Sequence, residues 1–214
     1  MEKINSQKDT LFYIGDPMCS WCYGFSPELD KVKLAFPDIP FRIVVGGLRA
    51  NGTESFPSLK IFLKEHWEEV HHRTSQPFSY EILNSNDLIY NTEPICRAVV
   101  VMRALSPSLE YAFFKDLQNA FYHENLDPTS LNTFIQLVKK HGVDEVLFEK
   151  LYSSPQYKKE TEKDFQLSQS LGVNGFPSTV VLKNGQYHNI ANGFKTSDQI
   201  IQQLVQLGFK TSSK

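Results

Sequence analysis

The sequence predicts an α/β protein in which a β-α-β unit and a β-β-α unit are separated by a long helical block. Three observations carry that prediction. Two short strand candidates flank a helical pattern within residues 10–45. Residues 53–171 then show helical periodicity and capping residues. A second pair of strand candidates, around Asn184-Gly185, leads into a last amphipathic stretch. Neither flank alone has enough strands for a stable sheet, so the two are expected to share one.

Taken in order, Thr10–Gly15 is the first strand candidate, and a helical pattern follows to about Ala35, with Leu29, Val32 and Ala35 or Phe36 on its apolar side. Pro27 lies inside that helix and is expected to kink it. Phe41–Val45 is the second strand, closed by Gly46-Gly47. Phe56–Val70 reads as helix, and Pro94–Leu105 as a strongly apolar one with Thr92 as its N-cap. Leu109–Tyr122 repeats apolar residues at helical spacing, which places Phe113, Phe114, Phe121 and Tyr122 in the core. Asp127-Pro128-Thr129-Ser130 opens a further helix that Gly142 ends, Asp144 caps Val146–Leu151, and Pro155–Leu171 is a polar helix ending at Gly172. Its charge run, Lys158–Lys163, reads as a solvated face. Ser178–Lys183 and Tyr187–Ala191 form a hairpin, and Ser197–Leu207 is the last helix, stopped by Gly208.

Composition narrows the classes. The 214 residues are 41% apolar and 21% charged, with a net charge of −2. A disordered chain, a collagen-like repeat and a disulfide-dense scaffold are excluded. Nucleic-acid binding through overall positive charge is not expected. No run of about 18 apolar residues is present to span a bilayer. Met1–Asp9 lacks the apolar core of a signal peptide, so a cytoplasmic location is expected. In a reducing compartment, three cysteines are poor candidates for structural staples.

Two of those cysteines, Cys19 and Cys22, have C-x-x-C spacing in Asp16-Pro17-Met18-Cys19-Ser20-Trp21-Cys22. Half a zinc site is one reading, but Cys96, the neighbours His71-His72 and four single histidines lack the paired ligand spacing, so no metal is expected. Redox chemistry is the other. A strand that runs into a helix places the first thiol at the helix N-terminus, where unpaired N–H groups and the helix dipole stabilise a thiolate. Cys19 is then the nucleophile, and Cys22, a turn further in, the resolving thiol with a normal or raised pKa. A second signal is Gly172-Val173-Asn174-Gly175-Phe176-Pro177-Ser178-Thr179. A proline opening a strand cannot donate to the ladder. A cis proline beside the thiols would leave the backbone of the preceding residue free for an extended substrate. Elsewhere, Cys96 reads as a buried, inert thiol, Asp16 as turn chemistry, and His71-His72 as a solvated helix end.

On these residues the chain resembles the DsbA-like branch of the thioredoxin superfamily, and within it the signal-less predicted protein-disulfide isomerases and FrnE-like proteins. The resemblance runs from about Leu11 to Leu207 and includes Asn91-Thr92-Glu93-Pro94, Asn125-Leu126-Asp127-Pro128 and Gly142-Val143-Asp144. It implies a thioredoxin fold formed by residues 1–53 and 172–214, with residues 54–171 as a helical insertion domain. It implies Cys19 as attacking thiol, Cys22 as resolving thiol and Pro177 as the cis proline, with Ser20, Trp21 and Phe176 facing substrate. The dipeptide Ser20-Trp21 differs from the Pro-His of the periplasmic oxidase. The implied activity is thiol–disulfide exchange or isomerisation on protein or peptide thiols and disulfides. No cofactor is implied beyond the Cys19–Cys22 redox pair, with glutathione as a candidate reductant. Neither nucleic acid nor a membrane is an expected partner. Two other readings stand beside it. One is a glutathione-dependent isomerase or transferase of the 2-hydroxychromene-2-carboxylate isomerase or kappa type, whose members lack a working C-x-x-C pair. The other is a non-catalytic, chaperone-like binding module. The preferred reading further expects Pro177 in contact with the Cys19 sulfur, and the helical block packed over the thiol end of the sheet.

Overall fold

A computed structural model describes residues 8–212. The leader reading of Met1–Asp9, and the outer ends of the 1–53 and 172–214 segments, fall wholly or partly outside those residues. In chain order the elements are β1 (Thr10–Gly15), α1 (Ser20–Ala35), β2 (Phe41–Val45), α2 (Phe56–Thr74), α3 (Glu93–Leu105), α4 (Glu110–Tyr122), α5 (Leu131–Lys140), α6 (Glu145–Tyr152), α7 (Pro155–Ser170), β3 (Ser178–Lys183), β4 (Gln186–Asn192) and α8 (Ser197–Gln206). The four strands form one sheet in the order β2-β1-β3-β4. β1 and β2 are parallel, with α1 as their crossover, while β3 is antiparallel to both β1 and β4. The two halves of the chain therefore do share one sheet.

Strand alternation sets the layers. Leu11, Tyr13, Ile43, Val45 and Val181 belong to the core that also holds Leu29 and Val32 of α1 and Ile200 and Leu204 of α8. Phe12, Ile14, Val44, Val180 and Leu182 form the core of the opposite face, where Leu167 and Leu171, in and just after α7, pack against them. The β3–β4 turn has Asn184 at φ 50° and Gly185 at φ 80°. Positive φ at both central residues is what a type I′ hairpin requires.

Pro27 does not interrupt α1. Its missing N–H would have bonded the Tyr23 carbonyl, four residues back. That carbonyl instead accepts from Ser26 Oγ at 2.9 Å and Gln76 Nε2 at 3.1 Å. Thr92 is the N-cap residue of α3, as expected, but its side chain makes no capping bond. Its hydroxyl accepts from Arg49 N at 3.1 Å, while Asn91 Oδ1 accepts from Glu93 N at 3.0 Å. A tertiary partner has claimed the residue that local propensity offered to the helix. Asp144 caps α6 as expected, accepting from Val146 N and Leu147 N. α2 extends past Val70 to Thr74, and 3-10 turns at Glu81–Asn84 and Pro107–Leu109 were not anticipated.

α2 lies close against α1. A Cβ on Gly24 would fall 2.6 Å from Val70 Cγ1 and 2.9 Å from Thr74 Cγ2, so the contact requires glycine. An aromatic cluster seals the junction. Tyr23 stacks on Tyr122 with centroids 4.8 Å apart, and Trp67 meets Tyr122 edge-on at 5.0 Å. Phe113, Phe114, Phe121 and Tyr122 are all buried, as their spacing predicts. Among the described residues no helix is long and apolar enough to cross a membrane.

Candidate active site

Cys19 is the N-cap residue of α1, with extended backbone (φ −88°, ψ 116°) and no capping bond from its side chain. Cys22 lies within the first turn. Neither thiol is in a disulfide, and their exposures differ: 6% for Cys19 and 0% for Cys22.

The loop before β3 faces them. The Phe176–Pro177 peptide is cis, as expected. Cys19 Sγ lies 3.8 Å from the Phe176 carbonyl oxygen, so the near neighbour of the sulfur is the backbone just before the proline. Three bonds hold that loop in place. Ser178 Oγ donates to Gly175 O at 2.7 Å and to Asn192 Oδ1 at 3.2 Å, and Gly193 N donates to Pro177 O at 2.8 Å. Gly46 has a role beyond closing β2. A Cβ there would come within 2.1 Å of the Phe176 ring, so glycine gives that ring its seat.

Burial pushes the Cys22 thiol well above its usual range, and its hydrogen bond and charge interaction with Cys19 push it further; the Asp16 backbone and the Tyr13 hydroxyl oppose the rise. Cys22 thus keeps its proton, and Cys19 is the more accessible thiol.

Asp16 does more than shape a turn. Its buried carboxylate accepts from Met18 N at 2.8 Å, Leu48 N at 2.7 Å and the Cys96 thiol at 3.4 Å. Burial raises this carboxyl, and those donors offset part of the rise. It ties the β1–α1 turn to the segment after β2. Tyr90 adds a second tie, its hydroxyl donating to Met18 O at 2.6 Å. Cys96 is fully buried, and burial pushes its thiol well up, as befits a core residue.

A cavity of about 240 Å³ opens beside Cys19. Ser20, Trp21 and Phe176, expected at the substrate face, all line it. The half-buried Trp21 ring also packs against Phe194, with centroids 5.7 Å apart. α2 supplies Phe62, His66 and Trp67 to the same cavity, so the helical block does cover the thiol end. Arg49 and Tyr90 complete the wall. Sequence reading missed these residues because nothing in their local pattern marks them off from ordinary core and surface positions. Among the described residues no group of three His, Cys, Asp or Glu is placed to hold a metal ion. The exposed His71 at the end of α2 pairs its Nδ1 with Gln76 O at 2.7 Å.

The family model of the DSBA-like thioredoxin domain matches residues 12–205. The chain belongs to the DsbA-like thioredoxin domain family. Solved DsbA-like structures agree. A Nitrosomonas europaea protein described as a candidate protein disulfide isomerase is 32% identical, with a TM-score of 0.86 over 95% of this chain and 100% of that one. The cytosolic disulfide reductase DsbM from Pseudomonas aeruginosa is 24% identical, with a TM-score of 0.78 over 92% of this chain and 98% of its own. The same fold extends to a 2-hydroxychromene-2-carboxylate isomerase at 15% identity and a TM-score of 0.62, covering 93% and 94% of the two chains. No curated protein matches the sequence.

Proposed function

We propose that this DsbA-like protein is a thiol–disulfide oxidoreductase or isomerase that acts on protein or peptide disulfides through Cys19-Ser20-Trp21-Cys22. The observation that carries the reading is the pairing of two unlike thiols. Cys19 sits at the α1 N-terminus against the Phe176 carbonyl, at the edge of a cavity. Cys22 is enclosed behind it, holding its proton.

The chemistry follows. The Cys19 thiolate attacks one sulfur of a substrate disulfide, forming a mixed disulfide and releasing the other sulfur as a thiol. Cys22 then attacks the Cys19 sulfur, closing Cys19–Cys22 and releasing the second substrate thiol. Pro177 holds the loop that presents the Phe176 backbone to an extended substrate strand. Ser20, Trp21 and the Phe176 ring form the wall against which that strand packs.

The direction is reductive or isomerising, the location cytoplasmic, and glutathione the reductant that returns the pair to dithiol, with no resident cofactor. Support comes from the DsbM likeness, since that protein is named a cytosolic reductase and has also been solved with glutathione. The test is a redox titration of the pair in glutathione buffers, read by mass shift after alkylation, together with insulin reduction. A reversible two-electron transition confined to Cys19 and Cys22, with turnover lost in Cys19→Ser, is expected. Glutathione-dependent isomerisation of a small molecule without dithiol turnover, or aggregation suppression surviving loss of both cysteines, would replace this reading.

A further inference from the structure

Thiol–disulfide exchange at Cys19, the reading on which the following rests, displaces one substrate sulfur before Cys22 acts. That sulfur departs beside a cavity walled largely by Leu48, Phe62, Leu63 and Trp67. An alkyl thiolate is a slow leaving group, and an unpaired charge on an apolar wall is costly. A proton donor on that wall would ease the departure.

We propose that His66 is a further catalytic residue, whose Nε2 hands a proton to the substrate sulfur that Cys19 displaces. His66 lies on α2, half-buried, and lines the cavity together with Cys19. At about 240 Å³ the cavity is smaller than the ~300–1,000 Å³ of a pocket for a whole small molecule, so its walls stand close around whatever is bonded to Cys19. The imidazole is held at two points. Its ring lies against that of Phe62, with centroids 4.2 Å apart, and its Nδ1 is 3.1 Å from the Phe62 carbonyl oxygen. A carbonyl oxygen only accepts, so Nδ1 carries a hydrogen whether the ring is neutral or charged. The proton that comes and goes is therefore the one on Nε2, across the ring from the bond to the helix backbone.

Other polar groups on this wall are committed elsewhere or do not transfer protons. Arg49 keeps its charge and pairs with Glu54. The Tyr90 hydroxyl donates to Met18 O at 2.6 Å. Ser20 and Trp21 offer only a neutral hydroxyl and an indole N–H. The acids nearest along α2 are Glu65 and Glu69, both exposed, and the 3-10 turn packed against α2 brings Glu81, also exposed. Apart from the nucleophile itself, histidine is the one side chain on the wall whose type changes charge around neutral pH.

In the step assigned to His66, the Cys19 thiolate bonds to one substrate sulfur and the substrate S–S bond breaks. Its electron pair goes to the other sulfur, which takes the Nε2 proton and leaves as a thiol. The neutral ring regains a proton from solvent. Run backwards, neutral Nε2 takes the proton of an incoming thiol as that sulfur attacks the mixed disulfide and Cys19 departs as the thiolate. No oxidant or reductant enters beyond the substrate disulfide and the two cysteines.

The experiment is a quenched single-turnover reaction of reduced protein with two disulfides of one peptide, read by mass, for wild type, His66→Gln and His66→Phe. In one disulfide the leaving group is a second copy of the peptide, an alkyl thiol. In the other it is an aromatic nitrothiol, which departs as a stable thiolate and needs no proton. His66→Phe keeps a ring against Phe62 and removes Nε2. Mixed-disulfide formation from the alkyl disulfide is expected to slow about a hundredfold in both variants, the lower end of what a positioned proton donor gives. The aromatic disulfide is expected to react at the wild-type rate. With the alkyl disulfide the wild type is expected to lose rate on the alkaline side, as the imidazolium gives up its proton, and both variants to lack that limb. Alkylation of Cys19 by iodoacetamide, whose leaving iodide takes no proton, reports folding and nucleophilicity and is expected to be unchanged. Equal slowing with both disulfides, an altered alkylation rate, or no slowing at all overturns the role of His66 and leaves the functional reading standing. A wild-type protein that forms no mixed disulfide with either peptide overturns the functional reading and this proposal with it.

Discussion

Cys19 and Cys22 carry the same functional group and differ through their surroundings. The difference predicts distinct failures. Cys19→Ser is expected to abolish disulfide exchange, and Cys22→Ser to attack once and stall as a trapped mixed disulfide, both read by mass after quenching. Cys96→Ser is expected to leave both steps nearly intact, because its thiol faces Asp16 in the core. The buried thiols also shape stability. Burial raises both Cys22 and Cys96, so the folded chain keeps protons that the unfolded chain gives up. Their contribution is complete below the unfolded thiol value of about 8.5 and is lost as pH rises toward the folded values. Each thiol then adds a slope of up to about 1.4 kcal/mol per pH unit on the alkaline side. Denaturant midpoints of the reduced protein, measured from neutral to alkaline pH, are expected to fall less steeply in Cys96→Ala. At this scale the C-x-x-C and Pro177 were legible because each is marked within a few adjacent residues. Asp16 and Tyr90 were not, because their roles depend on partners such as Leu48 and Met18 that only the folded chain brings near.

Elements were legible where local chemistry decides and less so where tertiary contacts compete. β1, β2 and β3 have the bounds that their alternation and flanking turns predict, and Asn184-Gly185 turns the hairpin. At Pro27 and Thr92 the hydrogen-bond partners come from elsewhere in the chain. Gln76 satisfies the carbonyl that Pro27 frees, and Arg49 takes the hydroxyl that would cap α3. Such partners carry no periodic signature. The α1–α2 contact at Gly24 gives a test of how the lid is held. Gly24→Ala forces the new methyl into Val70 and Thr74, and overpacking of this kind costs about 1–3 kcal/mol, against a helix-propensity gain of up to about 1. Because α2 also lines the cavity beside Cys19, the variant is expected to melt earlier and to alkylate Cys19 faster than wild type. An unchanged alkylation rate in a destabilised variant would show that α2 is seated by the aromatic cluster alone.

The whole molecule depends on joining the helical stretch to the edge of the sheet, and a charged network does this. Asp164 of α7 accepts from Arg103 of α3 at 3.1 and 2.6 Å, from Arg42 of β2 at 3.4 Å, and from Val45 N at 3.1 Å. Arg103 also donates to Glu110 of α4 at 2.6 Å and to Ile43 O at 2.9 Å. β2 is an edge strand, and these side chains close the backbone groups that no fifth strand pairs. Asp164→Ala removes a side chain that is 4% exposed and leaves Arg103, itself 21% exposed, with one carboxylate instead of two. It also orphans Val45 N. Breaking a buried pair from one side costs about 3–5 kcal/mol, to which an unpartnered buried N–H adds about 1–3. Residual exposure of Arg103 and its bond to Glu110 place the expected loss toward the lower end of that sum. Asp164→Asn keeps an acceptor for Val45 N and is expected to cost less. Replacing both partners, as Arg103→Met with Asp164→Leu, is expected to recover much of the loss, since neither charge is then stranded. None of the network's side chains lines the thiol cavity, so chemical denaturation should order the variants Asp164→Ala, Asp164→Asn, wild type while Cys19 alkylation in the folded state stays constant. Equal stability of Asp164→Ala and wild type would show that apolar packing of α7 against the sheet suffices without the ionic tie.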